Sequence, residues 1–292
     1  FTPELPSPGY SNGLLSLDAS TGAFKGFFQV LPESNYRDSD IDVDVGASPI
    51  LFDGGDGRRL VGFACKNGGC FVLDADTMAL LRWRQLLPYY RDGSRIASVD
   101  PHTNSNALSP PVSNEESDAT PGENFSGAFN TPALYPGAPG SPEVGPRLFI
   151  GLGGPNYHSA SPGIDSATTP FMRAIDTATL EDAWPLDRGD PPRYQLARPP
   201  MYTNVGESGL SSPAVVNDVV FCSTSQVALY AFHVADGRPL WQDLLGSQTD
   251  GYNGGYGYCL GPAIWKGFVV AGGLIAGRDG GILKIYGFKG SP

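Results

Sequence analysis

The chain has 292 residues, is rich in Gly (39) and Pro (27), and carries a formal net charge of −11 with only 19 Lys and Arg. That balance argues against nucleic acid or an anionic membrane surface as a partner. No apolar run approaches the roughly 18 residues that a bilayer span needs. The length allows one large all-β domain with a sizeable core, and opening on Phe1 with no signal peptide reads as a processed or excised piece.

Taken in chain order, the first predicted elements are two outer strands within 11–30, joined by Leu17-Asp18-Ala19-Ser20-Thr21-Gly22 and followed by Phe27. Next come Ala47–Phe52 and Leu60–Ala64, which lead into Phe71-Val72-Leu73, the turn Asp74-Ala75-Asp76-Thr77 and Trp83. Residues 88–125, rich in Ser, Pro, Asn and acids, read as a long loop insertion. Thr131–Leu134 and Leu148–Gly151 then lead into Met172–Ile175, the turn Asp176-Thr177-Ala178-Thr179 and Trp184. Ser212–Val216 and Val219–Phe221 lead into Leu229–Phe232, the turn His233-Val234-Ala235-Asp236-Gly237 and Trp241. The last set is Gly261–Ile264, Phe268–Ala271 and Ile282–Tyr286.

The turn phrase recurs at intervals of about 56 residues, or nearly double that, a period that signals propeller blades. The expected fold is therefore an all-β β-propeller of four-stranded antiparallel blades. A half-blade spans 11–30, and blades span about 44–87, 125–187, 209–245 and 257–290, with Trp83, Trp184 and Trp241 each on a fourth strand. Proline belongs at a strand's first position, where no ladder bond is lost, which accounts for the small-residue-Pro step before each inner strand. The recurrent aromatics are expected to pack between neighbouring blades. Because the first half-blade lacks inner strands, the N-terminal part of the same propeller is an expected partner, as a separate chain or an adjoining piece.

Four cysteines are present. Cys65 and Cys70 flank a short hairpin turn and could face each other as a disulfide, and Cys222 and Cys259 could form a second. Four buried thiols are the alternative. The sequon Asn124-Phe125-Ser126 points toward a secreted or extracytoplasmic setting.

The run Arg37-Asp38-Ser39-Asp40-Ile41-Asp42-Val43-Asp44-Val45-Gly46-Ala47-Ser48-Pro49 places four carboxylates at alternate positions ahead of an inner strand. In an extended segment they share one face, where they repel unless a cation neutralises them. Oxygen ligands of this kind suit Ca²⁺ rather than zinc. A solvated acidic loop is the plain alternative.

The stretch 22–66 resembles the pyrroloquinoline-quinone (PQQ)-dependent alcohol dehydrogenases, within them the polyvinyl-alcohol-dehydrogenase-like branch. The resemblance rests on the Thr21-Gly22 turn, Phe28-Gln29, Asp42-x-Asp44-Val45-Gly46-Ala47-Ser48-Pro49 and Lys66-Asn67-Gly68. It implies a quinoprotein propeller of eight blades when complete, of which this chain supplies about four and a half. It further implies PQQ and Ca²⁺ as cofactors and a small alcohol as substrate. Asp42 would be the catalytic base and a Ca²⁺ ligand, with Asp44 beside it on the metal and Asp40 nearby. Lys66 and Asn130 would border the quinone. Ile41 and Thr131 stand where the family often carries Trp. They fit the alternative reading, a non-catalytic propeller that binds a protein or glycan partner as a scaffold.

Overall fold

The computed structural model describes residues 13–30, 45–65, 69–86, 89–91, 94–96, 128, 130–137, 144–152, 172–184, 186–187, 193–194, 211–224, 228–245, 257–275 and 281–287. Strand is the only regular structure among them. A hairpin comes first, β1 (Gly13–Leu17) with β2 (Phe24–Gln29). A four-stranded meander follows: β3 (Ile50–Asp53), β4 (Arg59–Ala64), β5 (Gly69–Asp74) and β6 (Leu80–Gln85), paired in sequence order. Within the segment predicted as loop, β7 (Tyr89–Arg91) and β8 (Ser94–Ile96) form a short hairpin. Asp92-Gly93, between them in sequence, is a strong hairpin signal.

The next sheet holds β9 (Ala133–Tyr135), β10 (Arg147–Gly151) and β11 (Met172–Asp176). A two-residue pair, β12 (Leu186–Asp187) with β13 (Arg193–Tyr194), comes after it. A second four-stranded meander joins β14 (Ala214–Val216), β15 (Val219–Ser223), β16 (Ala228–His233) and β17 (Pro239–Leu244). In the last sheet β18 (Gly257–Cys259) and β19 (Ala263–Trp265) share one edge of β20 (Phe268–Ile275), and β21 (Gly281–Gly287) takes the other.

The five units stack face on face, as side-chain alternation requires. In β5, Phe71 and Leu73 point back to a core shared with Val30, Leu14 and Phe28 of the first hairpin, whereas Cys70 and Val72 point forward to Leu148, Ile150 and Leu152. The same alternation sends Tyr230 and Phe232 back toward Phe149 and Met172, and Leu229 forward toward Val269 and Ala271. Each interface is thus an apolar layer fed from both sides, which fixes strand register because a one-residue slip would turn every side chain over.

The repeated phrase builds one turn four times. Asp18 Oδ1 accepts from the Ser20 and Thr21 amides and the Thr21 hydroxyl, at 3.0, 2.9 and 2.9 Å. Asp74 and Asp176 make the matching set with Asp76-Thr77 and Ala178-Thr179. At the fourth copy His233 Nδ1 takes the aspartate's place and accepts from the Ala235 amide at 3.3 Å. Each turn ends in a left-handed residue: Gly22, Met78, Leu180 and Gly237, at φ 70°, 60°, 59° and 72°. A Cβ at Gly237 would also lie 2.6 Å from the Trp184 ring, so that position requires glycine twice over.

Polar groups staple the interfaces that the apolar layers form. Asp182 accepts from Arg173 Nε at 2.8 Å, from Arg173 Nη2 and from Arg84 Nη2 at 3.0 Å, which ties β11 to β6. Arg173 Nη1 donates to the Leu86 carbonyl and Arg84 Nη1 to that of Leu180. At the next interface Arg147 donates to the Val234 and Ala235 carbonyls, and Trp184 Nε1 donates to Val234. At the last, Asp243 accepts from Lys284 and Tyr286.

Two expectations are corrected. Trp184 is not on a fourth strand: after the Asp176 turn only an isolated bridge, Ile175 with Asp182, continues the sheet. Pro185 has no N–H to extend the ladder, and Trp184 turns inward to lie against Phe149 and Phe232, 5.4 and 5.8 Å between centroids. The three tryptophans pack at different sheet interfaces. Trp83 is opposite Phe71 and faces the first hairpin, while Trp241 is opposite Ala231 and meets Tyr286 of the following sheet. Lastly, Cys65, Cys70 and Cys222 are buried thiols in no disulfide. Ala64, not Cys65, is opposite Cys70, so the two sulfurs enter opposite interfaces. Cys222 Sγ lies in the core with Tyr230 and donates to the Ser223 carbonyl, and it is in no disulfide, so the expected pairing with Cys259 is not formed.

Candidate functional site

Up-and-down topology sorts the connections onto two rims. The Asp18, Asp74, Asp176 and His233 turns all lie at one rim, because each follows the third strand of its sheet. The opposite rim carries the segment leading into every inner strand and the connection between the second and third strands. Every candidate residue in the sequence belongs to that second set of connections. Asp40, Asp42 and Asp44 precede β3, Lys66 lies between β4 and β5, and Asn130 precedes β9.

Asp40, Asp42, Asp44 and Lys66 lie outside the described residues. Their chain neighbours Val45 and Cys65 do not. Val45, next to Asp44, packs in the same cluster as Cys65, next to Lys66. The Cys65 carbonyl accepts from the Ala128 amide at 3.1 Å, two residues before Asn130. The Cys65–Ala128 bond crosses the junction between the β3–β6 and β9–β11 sheets, whereas Val45 packs on the face of β3–β6 turned to the first hairpin.

Asn130 is buried, and its Nδ2 donates to the Gly151 carbonyl at 3.1 Å. Ser211, at the matching step before β14, donates to the Ser223 carbonyl at 2.7 Å and receives the Ser223 amide at 3.2 Å. Both side chains latch the start of an inner strand to the end of its neighbour. Asn130 thus has a structural task that a serine performs one sheet further on. The sequence signal for this latch is the residue two before each Pro: Ala47, Asn130, Ser211 and Leu260. Only two of the four carry a polar group there, so the pattern does not stand out in the sequence. The Thr131 amide in turn donates to Ser212 Oγ at 3.1 Å, which joins the segment before β9 to the segment before β14.

The chemistry of the described part of this rim is neutral and polar: Asn130, Thr131, Ser211, Ser212, Ser223 and Thr224. Among the described residues no group of three His, Cys, Asp or Glu could hold a metal ion. Asp42 and Asp44, the residues expected to hold a cation, lie outside the described residues, and oxygen donors of that type suit Ca²⁺. The asparagine amide fits a carbonyl- and carboxylate-bearing organic cofactor. Burial pushes the Cys70 thiol, which lies behind the rim, up to about 12, too high for a nucleophile.

No protein-family model matches the chain, and no curated protein matches it. Among solved structures it is similar to the quinohemoprotein alcohol dehydrogenase of Comamonas testosteroni, with TM-score 0.53 and 18% identity, over 97% of this chain and 44% of that one. Quinohemoprotein alcohol dehydrogenase ADHIIG of Pseudomonas putida HK5 gives TM-score 0.48 and 16% identity over 92% and 39%. A europium-containing methanol dehydrogenase gives 0.49 and 16% over 90% and 44%. The first likeness, with the stacked antiparallel sheets, shows an all-β propeller fold of the kind found in quinoproteins. The chain spans less than half the length of each of these three proteins. No described helix is long and apolar enough to cross a membrane.

Proposed function

We propose that the chain forms part of a quinoprotein-type oxidoreductase that oxidises an alcohol with PQQ and Ca²⁺. The observation that supports it is the hydrogen bond from the Ala128 amide to the Cys65 carbonyl, which links the connections that bear Asn130 and Lys66, with Val45, near Asp42, packed on the same core cluster as Cys65. In this reading Asp42 and Asp44 hold the cation, and Lys66 and Asn130 border the quinone. The bound quinone supplies a two-electron acceptor, polarised by the cation. The chain's own contribution is to orient the alcohol and to take its hydroxyl proton on the Asp42 carboxylate. Lys66 supplies a positive charge where the acceptor gains negative charge. An extracytoplasmic setting belongs to the same reading, supported by the Asn124 sequon.

The test is retention of PQQ by the native protein in equilibrium dialysis, with and without Ca²⁺, followed by dye-linked alcohol oxidation. Asp42→Asn is expected to lower the oxidation rate at least a hundredfold. Asn130→Ser separates the two roles of that residue, since serine can keep the latch as Ser211 does. It is expected to weaken PQQ retention while the melting temperature stays within a few degrees of the parent. Absence of Ca²⁺-dependent PQQ retention in the native protein, with no rate change for Asp42→Asn, would refute the proposal.

A further inference from the structure

The fourth turn differs from the other three at both of its paired positions. Asp18, Asp74 and Asp176 each face a threonine three residues on, and the Thr21, Thr77 and Thr179 hydroxyls donate to the aspartate at 2.9, 2.9 and 3.2 Å. Each threonine oxygen also accepts the amide two residues further along, that of Ala23, Ala79 or Glu181. In the fourth copy the pair is His233 and Asp236. Asp236 Oδ1 keeps the second task and accepts the Arg238 amide at 3.0 Å. It cannot perform the first, because an ionised carboxylate has no proton to donate. His233 Nδ1 lies 3.3 Å from Asp236 Oδ1 and 3.3 Å from the Ala235 nitrogen.

One ring nitrogen thus has an N–H donor on one side and an acceptor on the other, and it can satisfy only one of them at a time. Neutral imidazole with its proton on Nε2 accepts from Ala235. Imidazolium carries a proton on Nδ1 as well, so it donates to Asp236 and no longer accepts from Ala235. An aspartate escapes this choice, since one oxygen takes several donors, as Asp18 Oδ1 takes three. Histidine is the side chain that changes charge between about pH 5 and 8. The Ala235 N–H belongs to the same peptide group as the Val234 carbonyl, which receives Arg147 Nη1 at 2.7 Å and Trp184 Nε1 at 2.9 Å. The preceding sheet holds that peptide at one end and His233 holds it at the other.

Charged groups face this turn from each neighbouring element. The turn itself supplies Asp236 and Arg238, 3.8 Å apart. The sheet before it supplies Arg147, coupled to the charges of Asp176 and Asp236, and Tyr135, which donates to Asp218 at 3.3 Å. In the sheet after it the titratable side chains described are Lys266, over the Trp265 ring, and Lys284 and Tyr286, both held by Asp243. We infer that the His233 turn is a pH-sensitive joint between the β9–β11 and β14–β17 sheets. With His233 neutral, the Val234–Ala235 peptide is fixed from both ends. With His233 protonated, the ring donates to Asp236, the Ala235 amide is released, and the peptide can tilt away from Arg147 and Trp184. The inference is independent of the quinone chemistry, because it uses no residue of the candidate site.

Hydrogen exchange resolved to single amides reads the release, compared between about pH 8 and about pH 5, the range over which histidine changes charge, and corrected for the intrinsic effect of pH. In the native chain the protection of Ala235 is expected to fall at least tenfold at the lower pH. That of Asp76, the matched amide of the Asp74 turn, is expected to stay within twofold. The double variant His233→Asp with Asp236→Thr restores the pair of the other three turns and is expected to protect Ala235 equally at both pH values. The nitrogen-15 shift of His233 Nδ1 gives a readout that needs no variant: the nitrogen should be bare at the upper pH and gain its proton over the range in which Ala235 loses protection. Equal protection of Ala235 at both pH values in the native chain overturns the inference. So does a fall that persists in the double variant, or an Nδ1 that is already protonated at the upper pH.

Discussion

Asp182 is the residue on which the junction beside the candidate rim depends most. Its carboxylate is 9% exposed and the Arg173 guanidinium 4%, so the pair is isolated from water. Three N–H groups from Arg173 and Arg84 converge on it. Asp182→Ala removes the carboxylate that takes two N–H groups of the buried Arg173 guanidinium. Breaking a buried pair from one side costs about 3–5 kcal/mol. Arg84, 29% exposed, can turn further to Glu181, 3.4 Å away, but that carboxylate is 64% exposed and returns little. The lower half of the range applies, about 3 kcal/mol, or a fall of about 6–12 °C in melting temperature for a domain of this size. Urea unfolding followed by circular dichroism measures it. Adding Arg173→Met should recover most of the loss, since an apolar replacement of a buried pair is often neutral. A single-variant loss below about 1 kcal/mol, or no recovery in the double variant, would refute the reasoning.

Further outcomes follow from the turns and the thiols. Met78 holds a left-handed conformation at φ 60° yet is buried against the first hairpin. Met78→Gly relieves about 1 kcal/mol of backbone strain but forfeits a buried side chain worth about 2–5 kcal/mol, so urea unfolding should show a net loss. Gly22→Ala, at φ 70° with open space around it, should lose about 1 kcal/mol from strain alone. A stabilised Met78→Gly would mean that packing does not hold that turn. The native chain should offer at most one thiol to an aromatic disulfide reagent, because Cys65, Cys70 and Cys222 are buried. The folded Cys70 thiol stays protonated up to about 12, while the unfolded thiol ionises near pH 9, so the urea midpoint should fall as pH rises above that value. At the acid end, hydrogen bonds from Thr21 hold the Asp18 carboxyl, and those from Thr77 the Asp74 carboxyl, below the usual carboxylate range. The stability they lend is present above about pH 4 and is lost as pH drops further. A midpoint that is flat at both ends would contradict this account.

What the sequence made legible were the features that local chemistry repeats. The Asp-Thr-Gly phrase carries its own hydrogen-bond geometry, so three aspartates made one turn and its spacing gave the stacked sheets. Features that depend on a single residue of register were not legible. The cysteines 65 and 70 looked opposed, yet the ladder matches Cys70 with Ala64, and one step sends the sulfurs to different interfaces. Trp83 and Trp241 lie nine and eight residues after their turn residues and so face opposite ways, which the recurring phrase alone did not show. The staples were invisible for a different reason. Arg84, Arg173 and Asp182 come from two sheets, and no spacing in the chain announces that they meet.

The same distinction explains how far the candidate site could be read. Asp42, Asp44 and Lys66 were chosen by residue type and order, which fix what chemistry is available but not what lies beside it. The structure adds adjacency: the Cys65 carbonyl and the Ala128 amide join two connections separated by more than one strand pair. It also adds a competing cause for Asn130. A buried amide that anchors the start of an inner strand would be retained with or without a cofactor, as Ser211 shows at the next sheet. Discrimination therefore has to come from a substitution that preserves the latch and removes the amide. Serine at 130 does this, and a ligand-binding defect in that variant with an unchanged melting temperature could not be assigned to the scaffold.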